Sequence, residues 1–472
     1  MLKVKNIIIA AVTAVFMVEV VNAADVVCVS STIDGLWTES EVVVEQYDKN
    51  KPYDARITRY KEQCIEGFGG CLNELGWIAI NNLSKPEKER LLNELFTPGY
   101  GVSLTYNRLP IGANDFATSW YSLNDTENDF EMKHFTIKRD KGCLLKYVKA
   151  ALKKNPKMKL WASPWSPPVW MKTNHHYSNR SGAPNDLPKS GEVPTGNDQV
   201  IQDAKYLKAY ALYFSKYIDA YAKEGVNVGM IQFQNEPYTF NIWPNTSWTP
   251  KGMANFLGNY LGPLFAQRHS NVALWLGTLN TDRLEDVDYI MATDASKYIS
   301  GMGFQWEGKD LIGRVHKKYP AMRLMETENE CGGGEADWGS AEHTFDLMKK
   351  YLDGGASIYT YFNLVLQDDC KSTWGWRQNA MVIVDSKTKT ARYTPEFYVF
   401  KHVSHYVMPG AYKLNVMGCD GSCMAFVNPD GSVACVVANK QDKVVKKSIS
   451  YRDKVYTLEM KPKSFNTIYI TK

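Results

Sequence analysis

Between residues 64 and 367 the chain repeats one unit, a short apolar run of β-forming residues followed by a longer stretch with helical spacing or turn residues. Eight such runs are readable, at 65–72, 102–109, 160–163, 230–234, 273–278, 301–306, 323–327 and 357–366. Between the second and third, Leu144, Leu145, Val148 and Ala151 fall on one helical face that Asn155-Pro156 closes. Between the third and fourth, Leu207, Tyr210, Ala211, Phe214, Tyr217, Ile218 and Tyr221 do the same, and Gly225 can end that helix. A strand that returns through a helix to its neighbour runs parallel to it. Eight such units over about 300 residues predict an α/β fold, a (β/α)8 barrel whose working residues stand at the C-terminal ends of the strands. The competing fold is a doubly wound open sheet. Its Gly-x-Gly-x-x-Gly fingerprint is missing, because Gly67-Phe68-Gly69-Gly70 comes too early and lacks the third glycine.

Strand-rich pieces flank this core. The last sixty residues alternate apolar and polar side chains at 433–437 and 467–471, with Asn428-Pro429-Asp430-Gly431 as a turn, and an N-terminal piece contains Val42-Val43-Val44. Neither piece alone can bury a core, so both are expected to join in one side β-sandwich. The expected organisation is a signal peptide at 1–24, sandwich strands at 25–63, the barrel at 64–405 and the rest of the sandwich at 406–472. The signal reading rests on Lys3 and Lys5 before an apolar run from Ile7 to Phe16, with small residues at Ala23-Ala24. That run is too short to cross a bilayer, and no later run is long enough, so no membrane span is expected. The protein is expected to be secreted, or periplasmic or at the cell surface in a bacterial source.

A formal charge of +4, from 55 basic and 51 acidic residues, gives no electrostatic footprint for nucleic acid. Nine cysteines cannot all pair with one another, and Cys64/Cys71 and Cys419/Cys423 are the nearest candidate pairs. No second Cys/His pair accompanies Cys419 and Cys423, and His175-His176 lies in a polar loop at 174–196, so no metal or other cofactor is expected. Sequons occur at Asn82, Asn124, Asn179 and Asn245.

Two predicted strands end in carboxylates. The fourth closes on Gln234-Asn235-Glu236-Pro237, and the seventh on Glu326-Thr327-Glu328-Asn329-Glu330. Glutamate is a poor strand residue, so Glu236 after an apolar run and before proline belongs at a strand mouth. Two carboxylates on opposite walls of a barrel mouth can flank a glycosidic bond, one as acid/base and the other as nucleophile when about 5–5.5 Å apart. Asn235 brings an amide that can bond a sugar hydroxyl near the reacting carbon. Strict alternation sends Glu326, Glu328 and Glu330 to the same side, so periodicity does not choose among them.

Several motifs in order, Glu66-Gly67-Phe68-Gly69-Gly70, Tyr106-Asn107-Arg108-Leu109-Pro110, Asn114-Asp115-Phe116, the stretch from Ala162 to Asn174 and Phe233-Gln234-Asn235-Glu236-Pro237, resemble glycoside hydrolase family 30. That family contains glucosylceramidases, β-1,6-glucanases and xylanases. The resemblance implies a barrel with a side sandwich built from both termini, Glu236 as acid/base and Glu328, after Thr327, as nucleophile, with Glu330 second. It implies Arg108 as the partner of the nucleophile, and Asp115 and Trp165 as contacts to the non-reducing-end sugar. Trp306 and Asn363 are expected to add contacts, with Trp374 and Trp376 walling the pocket. Where glucosylceramidase-like members carry His-Trp-Tyr, this chain has Gln305-Trp306-Glu307, which points away from glucosylceramide. The expected order of substrates is β-1,6-glucan, then another β-glucoside including glucosylceramide, then xylan. The alternative of another class, a glycan-binding protein without chemistry, would be marked by loss of a carboxylate, and both are present.

Overall fold

The structure, a computed structural model, describes residues 26–472; the expected signal peptide lies outside the described residues. Eight parallel strands close into a barrel: β1 (Gly67–Cys71), β2 (Tyr106–Ile111), β3 (Lys159–Pro164), β4 (Met230–Gln232), β5 (Ala273–Leu279), β6 (Gly301–Gln305), β7 (Arg323–Glu328) and β8 (Ala356–Asn363). The two helices read from periodicity are present as Leu144–Lys154 and Ala204–Lys223, the second followed by Gly225 at φ 77°.

Strand boundaries differ from the sequence reading where the backbone turns early. The second strand begins only at Tyr106, because Ser103 takes a left-handed φ of 50° and breaks the extended run. The eighth run divides at Leu364: Val365–Gln367 leaves the barrel and pairs with Val382–Asp385 in a small separate sheet. Gly69 lies where β1 and β2 approach so closely that a Cβ would overlap the Tyr106 carbonyl oxygen, so the glycine-rich run is a packing device of the barrel.

Tyr106, Trp161, Met230, Trp275, Met325 and Ile358 fill the lower barrel from six strands. This packed layer makes the barrel a rigid base rather than a pore.

Ten strands form the side domain in one hydrogen-bonded order, with four from the N-terminal segment interleaved among six from the C-terminal one. The first, Val26–Thr32, pairs along its whole length with Ser464–Ile470. Ala55–Cys64 lies between Tyr412–Gly418 and Val445–Tyr451. The expected union of the two termini is therefore built at the level of backbone pairing. The barrel face of the domain packs Phe465 against Trp338 and Phe345 of the helix Trp338–Asp353, at centroid distances of 5.2 and 5.4 Å.

Cys419 and Cys423 form a disulfide, whereas Cys64 and Cys71 are free. Cys64 ends a sandwich strand and Cys71 ends β1, so an extended segment of about 20 Å holds them apart. Three of the four sequons, Asn124, Asn179 and Asn245, are buried and hydrogen-bonded; a glycan on any of them is incompatible with this fold.

One buried imidazole joins the two domains. His402, on the helix Pro395–Ser404, pairs with Ser31 Oγ at 2.9 Å and Thr467 Oγ1 at 2.8 Å, one from each terminal segment. Burial pushes its pKa down to about 3, with Lys401 and His405 adding to the effect. Below the ordinary histidine value of about 6.5 the unfolded chain binds a proton that the folded one does not, so this site costs stability as the pH falls from 6.5 toward 3. The melting temperature of His402→Gln should therefore fall less steeply over that window than the parent's; equal slopes would contradict this.

Candidate active site

The C-terminal mouth of the barrel is organised around Arg108, which is fully buried on β2. Its guanidinium stands 4.3 Å over the Trp165 ring and 4.8 Å over Trp161. Nε and Nη2 donate to Ser163 Oγ, Nη2 to Asn235 Oδ1 at 2.6 Å, and Nη1 to the Thr327 carbonyl and to Glu328 Oε2 at 2.7 Å. All five N–H groups of an arginine are thereby engaged. Because the guanidinium can only donate, Asn235 must present its oxygen there, and no described residue accepts from its Nδ2.

Glu236 follows the end of β4 with φ 44°, a left-handed conformation that non-glycine residues rarely hold without support. Support is present: its backbone N–H donates to Thr278 Oγ1 at 3.0 Å, and its carbonyl accepts from the Thr239 N–H. Its carboxyl accepts from Thr239 Oγ1 at 2.7 Å on one oxygen and from Gln305 Nε2 at 2.9 Å on the other. Gln305 Nε2 also lies 3.2 Å from Glu328 Oε2. Two carboxyl oxygens that share one donor nitrogen cannot be farther apart than those two bonds together, about 6 Å, which is short of the 6.5–9.5 Å that an intervening water needs.

The structure separates the three glutamates that alternation leaves equivalent. The pairing of β6 with β7 shifts register between Phe304 and Gln305, skipping Thr327, and this brings Gln305 opposite Glu328. Glu326 is fully buried and accepts from the Thr360 N–H at 2.6 Å. Glu330 turns away to Lys309 at 2.5 Å and His343 at 3.1 Å. Of the three, only Glu328 meets Arg108 and lines the cleft.

The cleft has a volume of about 470 Å³, and Asp115, Glu236, Glu328, Trp306 and Trp376 all line it. Trp243 and Trp376 stand together with centroids 4.2 Å apart. Arg108, Asn235, Trp165 and Asn363 support the cleft from behind and do not line it. Trp165 is fully buried beneath Arg108, so it offers no open ring face. Asn363 is also fully buried and donates to Gln378, which does line the cleft. Trp374 is no wall either; it is buried with its indole N–H on the Asn114 carbonyl. Sequence reasoning names Gln305 only as a departure from the His-Trp-Tyr motif and gives Thr239 and Trp243 no role. Gln305 carried a signal, as a polar residue ending a barrel strand, whereas the other two depend on loop geometry. No group of side chains suited to a metal ion occurs among the described residues. His176 is engaged by Ser178 and Asp186 within its loop.

The glycosyl hydrolase family 30 TIM-barrel model matches residues 65–407, and the family 30 β-sandwich model matches 419–468. The chain belongs to glycosyl hydrolase family 30. It is similar to putative glucosylceramidase 1 of Caenorhabditis elegans, with 29% identity over 80% of this chain and 74% of that protein. It is similar also to the endo-1,6-β-D-glucanase neg1 of Aspergillus fumigatus, with 26% identity over 80% of this chain and 79% of that one. Among solved structures, SrfJ from Salmonella typhimurium has the same fold, with a TM-score of 0.84 at 24% identity, covering 95% of this chain and 100% of that one.

In this family 30 glycosidase three carboxyls surround one buried cation. Burial drives Asp115 well above the usual carboxylate range, and the charges of Glu328 and Glu236 push the same way. Glu236 is raised by burial, against the pull of its bonds to Thr239 and Gln305 and of Arg108. Glu328 is raised to about 7, by burial first, with Arg108 drawing it down and Glu236 pushing it up. A guanidinium keeps its proton and a buried cation needs a counter-charge. Of the three carboxyls only Glu328 touches Arg108, so a negative charge is best compensated there. Arg108→Met leaves Glu328 buried without its cation, so that it is held neutral in the fold but ionises in the unfolded chain. Urea unfolding should show a cost of about 3 kcal/mol at pH 8 that shrinks at pH 5.5; a cost that is constant or grows toward acid would contradict this charge assignment.

Proposed function

We propose that this glycosidase is secreted and cleaves β-1,6-linked glucan with retention of configuration, by double displacement. The observation that carries the mechanism is the single Gln305 nitrogen shared by Glu236 and Glu328, which keeps their facing oxygens within about 6 Å, below the spacing that inversion needs. Glu328 is the nucleophile. Arg108 and Gln305 both hold its Oε2, leaving Oε1 to attack the anomeric carbon. Glu236 is the acid/base: burial raises its carboxyl above the ordinary range, which favours holding the proton that it gives to the leaving oxygen. Asp115, buried with Oδ1 unpartnered at the cleft, supplies a hydrogen bond to a hydroxyl of the sugar in place.

The character of the cleft supports a glycan chain over a lipid glycoside. Trp243, Trp306 and Trp376 offer flat faces to sugar rings, and Glu307 and Arg377 make the rim polar, but no aliphatic side chain lines the cleft to receive an alkyl tail. Gln305-Trp306-Glu307 at the end of β6 favours the glucanase reading, and neg1 is named as an enzyme of that linkage. Secretion is supported by the basic and then apolar N-terminal stretch and by the Cys419–Cys423 bond.

Incubation with linear β-1,6-glucan should give short gluco-oligosaccharides whose first anomer, by proton NMR, is β. Glu328→Gln should keep the parent's melting temperature and lose on the order of 10⁴-fold in turnover. An α first product would contradict retention, and no product from the parent would exclude this substrate.

A further inference from the structure

Gln305 is fully buried and does not line the cleft, yet it touches both reacting carboxyls. Its amide is oriented from two sides. Thr327 Oγ1, whose one hydrogen lies between Gln305 Oε1 at 2.7 Å and the Phe304 carbonyl at 3.0 Å, donates to the nearer amide oxygen, while Nε2 faces Glu236 Oε1 at 2.9 Å, Glu328 Oε2 at 3.2 Å and Asn235 Oδ1 at 3.4 Å. A flipped amide would set its oxygen against Glu328 Oε2 and against Asn235 Oδ1, which Arg108 holds as an acceptor, so the observed orientation is the favoured one. Nε2 has two hydrogens for three acceptors, and the carboxyl oxygens are the nearer two. An amide neither gains nor loses a proton between pH 2 and 12, so this donor is present in every protonation state of the pair.

In the mechanism proposed above, on which this inference rests, the negative charge changes place twice. In the first half, a Glu328 oxygen forms a bond to the anomeric carbon, the bond from that carbon to the leaving oxygen breaks, and the Glu236 proton passes to the leaving oxygen. The charge is then on Glu236 and the Glu328 oxygens belong to an ester. In the second half, a water proton passes to Glu236, the water oxygen bonds to the anomeric carbon, and the ester bond to Glu328 breaks. The charge is back on Glu328. Hydrogen bonds to an ionised oxygen are roughly twice as strong as neutral ones.

We infer that Gln305 is the positioning residue of this exchange, a fixed donor whose strong hydrogen bond follows the charge from Glu328 to Glu236 and back. Thr327 is the anchor that keeps the donor side of the amide on the carboxyls. The backbone supports the arrangement: Trp306, next in sequence, takes φ 51° and turns the chain away from the barrel immediately after Gln305.

The test uses Gln305→Met, which keeps the length of the side chain and removes both hydrogens, and Thr327→Val, which removes the anchor and keeps the shape. A donor to the ionised form lowers a carboxyl's pKa, so its loss raises both carboxyls. In the pH profile of kcat/KM on an aryl β-glucoside, the rising limb needs ionised Glu328 and the falling limb needs protonated Glu236. Both limbs should move to higher pH in Gln305→Met, by about half a unit or more, and in the same direction by less in Thr327→Val. Gln305→His, which returns one donor, should bring them back toward the parent. Profiles that superimpose after scaling, with activity lowered at every pH alike, would overturn the inference and leave a merely structural role. A readout without substrate separates this from the functional reading. The carboxyl stretch of Glu328, identified by its loss in Glu328→Gln, should titrate at higher pH in Gln305→Met by difference infrared spectroscopy. An unmoved midpoint overturns the bridge whether or not the parent cleaves any glucoside. A moved midpoint with an inactive parent supports the bridge and rejects the glycosidase mechanism.

Discussion

A guanidinium sealed from water must find a partner for every N–H and a counter-charge for itself, and in this barrel both demands fall on the residues that face the cleft. Arg108 rises from β2 and binds Ser163 on β3, Asn235 after β4, and Thr327 and Glu328 on β7. Its requirement for oxygen fixes which way the Asn235 amide turns, and its charge selects Glu328 as the carboxylate. The ring of Trp165 beneath it closes the remaining side, which is why that tryptophan is buried rather than presented to a sugar.

The local geometry around that cation is held against backbone preference. Glu236 and Trp306 both occupy left-handed φ, a cost of about 1–3 kcal/mol each. At Glu236 the cost is borne because the neighbourhood over-determines the position: Thr278 and Thr239 fix its backbone, above the packed layer from Tyr106 to Ile358. A site built on strand ends above a close-packed layer keeps its carboxyl spacing without help from the substrate, which is what a double displacement requires.

Strand and helix periods gave the barrel, and the incomplete cores of the two terminal segments gave their union, because both follow from residue type over many positions. Glu236 was legible for a related reason, since a glutamate between an apolar run and a proline has few other places to go. The choice among Glu326, Glu328 and Glu330 was not legible from alternation, because one register shift at Thr327 breaks the alternation. The family resemblance implies Trp165 as a sugar contact, with Asn363 and Trp374 expected beside it, but a ring or amide near a strand end can face the interior as readily as the mouth. Gln305 entered the sequence reading only as a departure from another motif. Its place between two carboxyls depends on the same register shift and on a threonine twenty-two residues away.

The central claim is that Glu328, held by Arg108 and Gln305, becomes covalently bound to the sugar. The direct measurement is intact-mass and peptide mapping after incubation with a 2-deoxy-2-fluoro-β-glucoside bearing a good leaving group, which slows the second half of the reaction more than the first. The account predicts one added fluoroglucosyl group, carried by Glu328. An adduct on Glu236, Glu326 or Glu330, or no adduct in a preparation that hydrolyses glucan, would contradict it.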